Sequence, residues 1–190
     1  MVSRLETKQD DVGSLVVPLL VFSGLSRIAD RTQIQKLVYI VNECGWHVIT
    51  DFKFIARGPY SQWLDSQLDN WISDGTVEEA EESILIGTDN EVGFYCYSLS
   101  DKGKSLAKNV IDSVNRPALV DKTFLHLRNL SKYTEQELEI AGSILYVRVE
   151  EHMDLENIVK RILRFRPEFT EAQIRGRLDV LDYTEENVGS

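Results

Sequence analysis

Side chains that could perform acid–base or metal chemistry are widely separated in this chain. The histidines are His47, His126 and His152, and none lies in an HExxH, CxxC or Gly-x-Ser-x-Gly pattern or beside a glycine-rich phosphate loop. The run 150–154, EEHMD, places acids and a histidine together and could bind a cation, but it is more typical of a solvated helix end. We therefore predict a protein without catalytic residues, cofactor or metal.

A second chemical signal is a long interval without cations. No Lys or Arg lies between Gly58 and Asp101. The acidic residues of this interval are Asp65, Asp69, Asp74, Glu78, Glu79, Glu81, Glu82, Asp89, Glu91 and Asp101. Because phosphate contacts need positive or neutral donors, the 59–99 face disfavours nucleic acid, although Gln62, Ser66 and Asn70 could still read bases. A solvated acidic face without any partner is the alternative interpretation.

Helical spacing selects the side chains of this interval that a protein partner would contact. Apolar residues recur with a period of 3.6 over 60–73, and both Trp63 and Trp71 lie on that apolar stripe, so we expect both in the core. The opposite face carries the predicted partner-binding residues, which are Gln62, Asp65, Ser66, Asp69 and Asn70. Its charge favours a basic partner. Lysine at Asp65 and Asp69 should leave folding nearly unchanged.

Two helices separated by a turn must position these side chains. Asp30 or Thr32 can cap the first helix, since a glutamine lies three residues after each, and Gly45 suits its left-handed end. A short strand-like run follows. The turn after this run consists of Arg57, Gly58, Pro59 and Tyr60. Its proline suits the first turn of the second helix, and we expect its arginine to pair with a carboxylate such as Asp51.

After the second helix the period of the apolar residues changes from helical to strand-like. The runs 83–86 and 92–97 flank a polar turn at 87–91 and predict a β-hairpin, which we call the wing. Ser100 caps a further helix, and 115–117 marks a boundary. Thr134, Asp154 and Thr170 then cap three of the four helices predicted in the remainder.

Basic residues crowd the last two predicted helices, where they could bind an acidic protein or nucleic acid. Only Glu168 and Glu171 lie among them. The cluster consists of Lys160, Arg161, Arg164, Arg166, Arg175 and Arg177. These residues could instead balance the acidic wing across the core, or a neighbouring subunit, and both interpretations remain open.

Two motifs resemble known families. Gln35-Lys36 followed by Leu-Val-Tyr, then Arg57-Gly58-Pro59-Tyr60-Ser61, resembles the uncharacterised YwgA-type family of bacteria and archaea. The same layout is more distantly similar to the Panacea (SocA-like) antitoxin domain, although Ile34 replaces a leucine and Arg57 differs before Gly-Pro. The run 97–103 resembles the wing-to-helix junction of PadR- and MarR-type regulators. The antitoxin-like resemblance implies a protein partner, whereas a winged helix usually implies DNA.

Composition excludes other classes. With 43% hydrophobic and 27% charged residues the chain is typical of a soluble globular protein, and a net charge of −10 does not favour non-specific binding to nucleic acid or membranes. The apolar run 15–25 is too short to cross a bilayer. Cys44 and Cys96 have no metal-ligand spacing and suggest buried thiols of a reduced, cytoplasmic protein.

The expected fold is α+β and mostly α. We expect a winged helix-turn-helix domain over 1–115, with a loose end at 1–11 and a first helix at about 12–25. A helical C-terminal extension over 116–190, loose from 184, should pack on it.

The leading functional hypothesis is a protein-interaction module of the antitoxin or regulatory-adaptor kind, whose partner the sequence does not identify. The alternative is a DNA-binding transcriptional regulator that could form a homodimer. Such a regulator would use the basic residues of the C-terminal half or of helix 32–44.

Overall fold

Capped helices and two small antiparallel sheets make up the computed structural model, which describes residues 3–55, 57–86 and 90–185. The helices are α1 (Ser3–Gly24), α2 (Arg31–Val41), α3 (Gln62–Ser73), α4 (Asp101–Asp112), α5 (Pro117–Leu130), α6 (Glu135–Glu150), α7 (Leu155–Phe165), α8 (Glu171–Arg175) and α9 (Asp182–Glu185). The strands are β1 (Ile28–Ala29), β2 (Lys53–Ile55), β3 (Gly58–Tyr60), β4 (Val77–Ile86) and β5 (Asn90–Leu99). The predicted α+β, mostly helical class is confirmed.

Polar side chains cap the starts of α2, α3, α4, α6, α7 and α8, and all of these caps except Ser61 were predicted. Asp30, and not Thr32, caps α2, because its carboxylate accepts a 2.7 Å hydrogen bond from the Gln33 N–H. The other side-chain caps are Ser61, Ser100, Thr134, Asp154 and Thr170. Each such cap typically contributes about 1 kcal/mol, so these local side chains help to fix where the helices start.

The two ends of the described chain differ from the prediction. Residues 3–11, expected to be loose, are the first turns of α1, and Pro18 lies inside that helix. The helix predicted from Thr170 ends at Arg175, and a 3₁₀ turn and α9 follow it. The predicted loose ends at 1–2 and 186–190, and the turn residues 87–89, lie outside the described residues.

The turn before α3 also differs from the prediction. Residues 58–60 form strand β3, which pairs antiparallel with β2 and aligns Phe54 with Pro59. Gly58 has a φ of 100°, a value that favours glycine. Pro59 therefore does not open a helix, and α3 starts after Ser61 instead.

The larger sheet has the strand order β1–β5–β4, with both pairings antiparallel. The sequence analysis missed β1, a two-residue strand that aligns Ile28 with Tyr97. β4 and β5 pair without interruption from Val77 opposite Leu99 to the tip, so the predicted wing extends further towards its base. β4 lies at the edge of the sheet.

The base of the wing is tied to α3 and α4. The Ser100 hydroxyl donates to the Gly75 carbonyl at 2.7 Å and accepts from the Gly103 N–H at 3.1 Å. The Ser100 N–H donates to the Thr76 carbonyl at 3.1 Å. Gly103 lies so close to this carbonyl that a Cβ atom would overlap it, which requires glycine here.

One cluster of buried apolar side chains includes residues from both halves of the chain. It takes Leu20 from α1 and Val38 from α2, and Leu127 from α5 and Ile144 from α6, all fully buried. α6 lies against α2, and α5 lies against α1. The later helices therefore cover apolar faces that α1 and α2 would otherwise expose. No helix within the described ranges combines the length and the apolar character that a membrane span requires.

A buried ion cluster joins α2 to the second half. Lys36 is fully buried, and its Nζ lies 3.6 Å from Glu139 Oε2 and 4.0 Å from Glu135 Oε1. Glu139, also buried, pairs with Arg166 at the end of α7. Burial lowers the pKa of Lys36, and the nearby charge of Glu135 opposes this shift. One carboxylate thus pairs with two cations that have little access to water.

Removing that shared carboxylate should be costly. We expect Glu139→Gln to lower the free energy of unfolding by about 3–5 kcal/mol, because both cations lose their buried counter-ion. The matched control is Glu135→Gln, whose side chain is 58% exposed and which should cost less than about 1 kcal/mol. Urea denaturation of both variants measures the difference, and equal losses would contradict this role of Glu139.

The two tryptophans of α3 should differ in their effect on stability. Trp71 is buried and meets Phe22 edge to face, with ring centroids 6.3 Å apart. Trp63 is only partly buried at the margin of the core, which corrects the expectation that both indoles are core residues. Trp71→Ala should cost about 3–5 kcal/mol, and Trp63→Ala clearly less. Chemical denaturation tests this order, and a reversed order would contradict it.

Candidate functional site

The guanidinium of Arg31 joins α2, α3 and the wing. Its Nη1 lies 2.7 Å from Asp69 Oδ1 and 3.4 Å from Asp65 Oδ1, and its Nη2 lies 3.8 Å from Glu79 Oε2. Its Nε donates to the Tyr97 hydroxyl at 3.3 Å. One cation therefore faces three carboxylates, so negative charge remains in excess around it. The sequence analysis did not place Arg31 here, because its approach to α3 depends on the unpredicted strand β1.

The predicted partner-binding residues lie together on the outer side of α3. Gln62, Ser66, Asp69 and Asn70 are exposed, and Asp65 is half-buried. The carboxylate of Asp65 also accepts a 3.1 Å hydrogen bond from the Tyr60 hydroxyl. Both aspartates are ion-paired, so reversing their charge would break the Arg31 pairs as well. Lysine at Asp65 and Asp69 would therefore affect folding as well. Ser66 and Asn70 are less disruptive positions for an added positive charge.

The wing continues this surface with glutamates and exposed apolar side chains. Glu78, Glu79, Glu81 and Glu82 follow one another along β4 with only Ala80 between them, and Arg27 pairs with Glu82. Near the tip, Ile84, Leu85 and Val92 are 52%, 74% and 45% exposed. We call the exposed side of α3 together with β4 the acidic face. Exposed apolar groups beside charged ones are typical of a surface that binds a protein.

The Gln35 and Gly-Pro-Tyr-Ser segments of the motif meet at the start of α3. The buried Gln35 side-chain amide donates to the Ser61 carbonyl at 3.0 Å and accepts from its N–H at 2.9 Å. Asp51 accepts from the Ser61 hydroxyl and, at 3.0 Å, from the Trp63 N–H. The expected Arg57–Asp51 pair is wrong. Arg57 is exposed and forms no hydrogen bond or ion pair with the residues that the structure describes.

A small cleft opens beside this turn. Its volume is about 180 Å³. Its lining includes the whole predicted turn, with Arg31, Gln35 and Ile55 around it: Arg57, Gly58, Pro59 and Tyr60. Pockets for small molecules usually measure about 300–1,000 Å³, so this cleft suits a single side chain of a partner better than a metabolite.

Glutamates close by neutralise most of the C-terminal basic cluster. The ion pairs are Arg161–Glu151, Arg166–Glu139, Arg166–Glu168, Arg175–Glu156, Arg175–Glu171 and Arg177–Glu137. These acids lie on or next to α6, α7 and α8, so the cluster is balanced locally and not by the wing. Lys160 and Arg164 are exposed and have no ion pair with the described residues. They line an open surface with Met153 and Asn157.

The run 150–154 serves as a helix end. α6 ends at Glu150, Glu151 pairs with Arg161, and the Asp154 carboxylate accepts from the Asn157 N–H at 2.9 Å. Within the described residues, no group of three or more His, Cys, Asp or Glu side chains could hold a metal ion. Glu151 and Asp154 of this run are therefore already engaged, one in an ion pair and the other in a helix cap.

Both cysteines are buried, as predicted. Burial raises the pKa of the Cys44 thiol to about 12. A thiol that stays protonated in this way is a poor nucleophile near neutral pH, so Cys44 is a core residue.

Comparison with known proteins shows a similarity to an uncharacterized protein. No protein-family model matches the chain. The chain is 25% identical over 129 residues to the uncharacterized protein YwgA of Bacillus subtilis (strain 168), and the alignment covers 66% of this chain and 69% of that protein. This similarity supports the YwgA-type resemblance. The Panacea (SocA-like) resemblance gains no support from it and stays a prediction.

The turn before α3 should depend on Asp51 and not on Arg57. Asp51→Ala removes the acceptor for both the Ser61 hydroxyl and the Trp63 N–H, so we expect a loss of about 1–2 kcal/mol. Arg57→Ala removes no hydrogen bond or ion pair with the described residues and should change stability by less than about 0.5 kcal/mol. Urea denaturation compares the two variants. A large loss in Arg57→Ala alone would show that Arg57 fixes the turn after all.

Proposed function

We propose that this chain is a non-enzymatic binding protein whose acidic face binds a basic protein partner, as an antitoxin or regulatory adaptor would. The arrangement of Arg31 among Asp65, Asp69 and Glu79 carries this proposal. The cation next to the face is already paired, so an incoming partner meets carboxylates. Complementary charge speeds encounter and rejects partners of like charge.

Exposed apolar side chains can contribute the binding affinity that charge attraction alone does not provide. Acidic rims mainly affect the rate of association, whereas desolvated apolar contacts contribute most of the affinity of protein interfaces. Ile84, Leu85 and Val92 offer such contacts within reach of the same partner. A basic protein with an apolar patch would therefore match the acidic face in both respects.

The element order supports a winged-helix assignment for the first half. α1, β1, α2, α3 and the β4–β5 hairpin follow in that order, and β1 pairs with β5. The connection from α2 to α3 spans 42–61 and includes β2 and β3, whereas DNA-binding helix-turn-helix motifs use a turn of about 3–4 residues. This longer connection favours a winged helix adapted to a protein partner.

A DNA-binding transcriptional regulator is the second candidate, favoured by the winged-helix element order and by Lys160 and Arg164. These two side chains remain available for phosphates, whereas the other four basic residues of the C-terminal cluster pair with glutamates. Affinity for DNA grows with the number of neutralised phosphates. Two such contacts would support only weak binding, so this function ranks below the first.

Positive charge added to the acidic face should reduce the capture of the partner by photo-crosslinking. A photo-crosslinking amino acid at Gln62 should capture a protein in cells of the source organism. Ser66→Lys combined with Asn70→Lys should reduce this capture about tenfold, because both changes oppose a basic partner without breaking an ion pair.

The control carries the same added charge on another surface. Asn109→Lys combined with Ala118→Lys changes exposed residues of α4 and α5 and should leave capture unchanged. Equal loss in both double variants would indicate a general charge effect. Capture of nucleic acid from Gln62, or a salt-sensitive shift of random duplex DNA, would support the regulator instead.

A further inference from the structure

The outer edge of β4 is unpaired in the part of the chain that the structure describes. The strand order leaves β4 at the edge of the sheet, and its pairing with β5 runs in continuous register over its whole length. A long, regular edge strand presents a row of N–H and C=O groups that another strand can bind. Natural edges are often interrupted by proline or a bulge, whereas β4 contains neither.

The register identifies the outward-facing backbone groups. The Asp30 N–H donates to the Tyr95 carbonyl at 2.9 Å, so the backbone groups of Tyr95 face β1. Those of its neighbour Cys96 face β4, because groups alternate along a strand, and they meet Ala80. The groups of β4 that point outwards therefore belong to the alternate residues, which are Glu79, Glu81, Ser83 and Leu85. None of them bonds to another backbone segment among the described residues.

We propose that β4 binds a basic, extended segment of the partner protein by strand addition, an inference that rests on the proposed function. Cross-strand neighbours of opposite charge stabilise a sheet, and glutamates lie on both faces of β4. Glu79 and Glu81 lie on one face, and Glu78 and Glu82 on the other. The added strand therefore carries Lys or Arg at neighbouring positions. Backbone pairing supplies affinity, and these charges supply specificity.

A second copy of this chain meets like charges at this edge in the registers that overlap the glutamates. In an antiparallel pairing centred on Ala80, Glu79 would face Glu81 and Glu78 would face Glu82 of the other copy. A pairing centred on Glu82 would set that residue opposite itself. Like charges directly opposite one another destabilise a sheet. The glutamates thus disfavour these self-pairings, while the edge stays open to a cationic strand.

The register also supplies the probe for the experiment. A synthetic peptide with the sequence of 77–86, in which lysine replaces all four glutamates, would place lysine opposite glutamate when centred on Ala80. The unchanged 77–86 peptide serves as the control for a second copy. Calorimetry of the full chain should detect the lysine peptide at concentrations below about 1 mM, and the unchanged peptide should bind at least about tenfold more weakly.

N-methylation separates strand pairing from charge attraction. Methyl groups on the peptide nitrogens that correspond to Glu79 and Glu81 block the donors that face β4, and should reduce affinity about tenfold or more. Methyl groups on the nitrogens that correspond to Ala80 and Glu82 point away from β4, leave the charge identical and should be tolerated. The amide resonances of β4 should shift when the unmethylated lysine peptide is added.

Each other result overturns the strand-addition proposal. No binding at about 1 mM removes the site, equal binding of the two methylated peptides leaves charge attraction alone, and equal binding of the unchanged peptide favours a second copy. Capture of a protein from Gln62 does not depend on these peptides. If capture succeeds while the peptides fail, the acidic face still binds its partner, but without strand addition.

Discussion

The burial of Lys36 is the constraint on which the rest of the structure depends. A buried cation is costly unless a counter-ion accompanies it, and its buried partner Glu139 lies on α6, in the other half of the chain. α2 therefore cannot take its place without α6, and Arg166 adds the end of α7 to the same arrangement. The early helices and the late helices are thereby made mutually dependent, although most of their contacts are apolar and less specific in direction.

α2 connects the buried ion cluster to the candidate site. Its first residue, Arg31, holds Asp65 and Asp69 of α3 and Glu79 of β4, and Gln35 one turn later holds the backbone of Ser61. One helix thus holds the wing with its first residue, and the start of α3 and the ionic core with the adjacent residues Gln35 and Lys36. The acidic face is rigid at its centre because these polar contacts are satisfied on a helix whose position is fixed elsewhere.

Sequence reasoning succeeded where the cause is local. The caps at Ser100, Thr134 and Asp154, the apolar stripe of α3 and the hairpin follow from neighbouring residues, and the structure has all of them. It failed where contacts with a distant segment determine the local structure. β1 is a strand only because β5 lies beside it, and β3 only because β2 returns along it. The pairs of Arg31 were missed for the same reason, as were the local glutamate partners of the basic cluster, which needed the angles between α6, α7 and α8.

The contacts at Gly75, Thr76, Ser100 and Gly103 fix the base of the wing to α3 and α4. The hairpin is clamped where its strands meet α3 and α4, and its opposite end carries exposed side chains such as Leu85 with no support from the described core. The clamp therefore fixes the direction in which β4 presents its exposed side chains to an approaching protein.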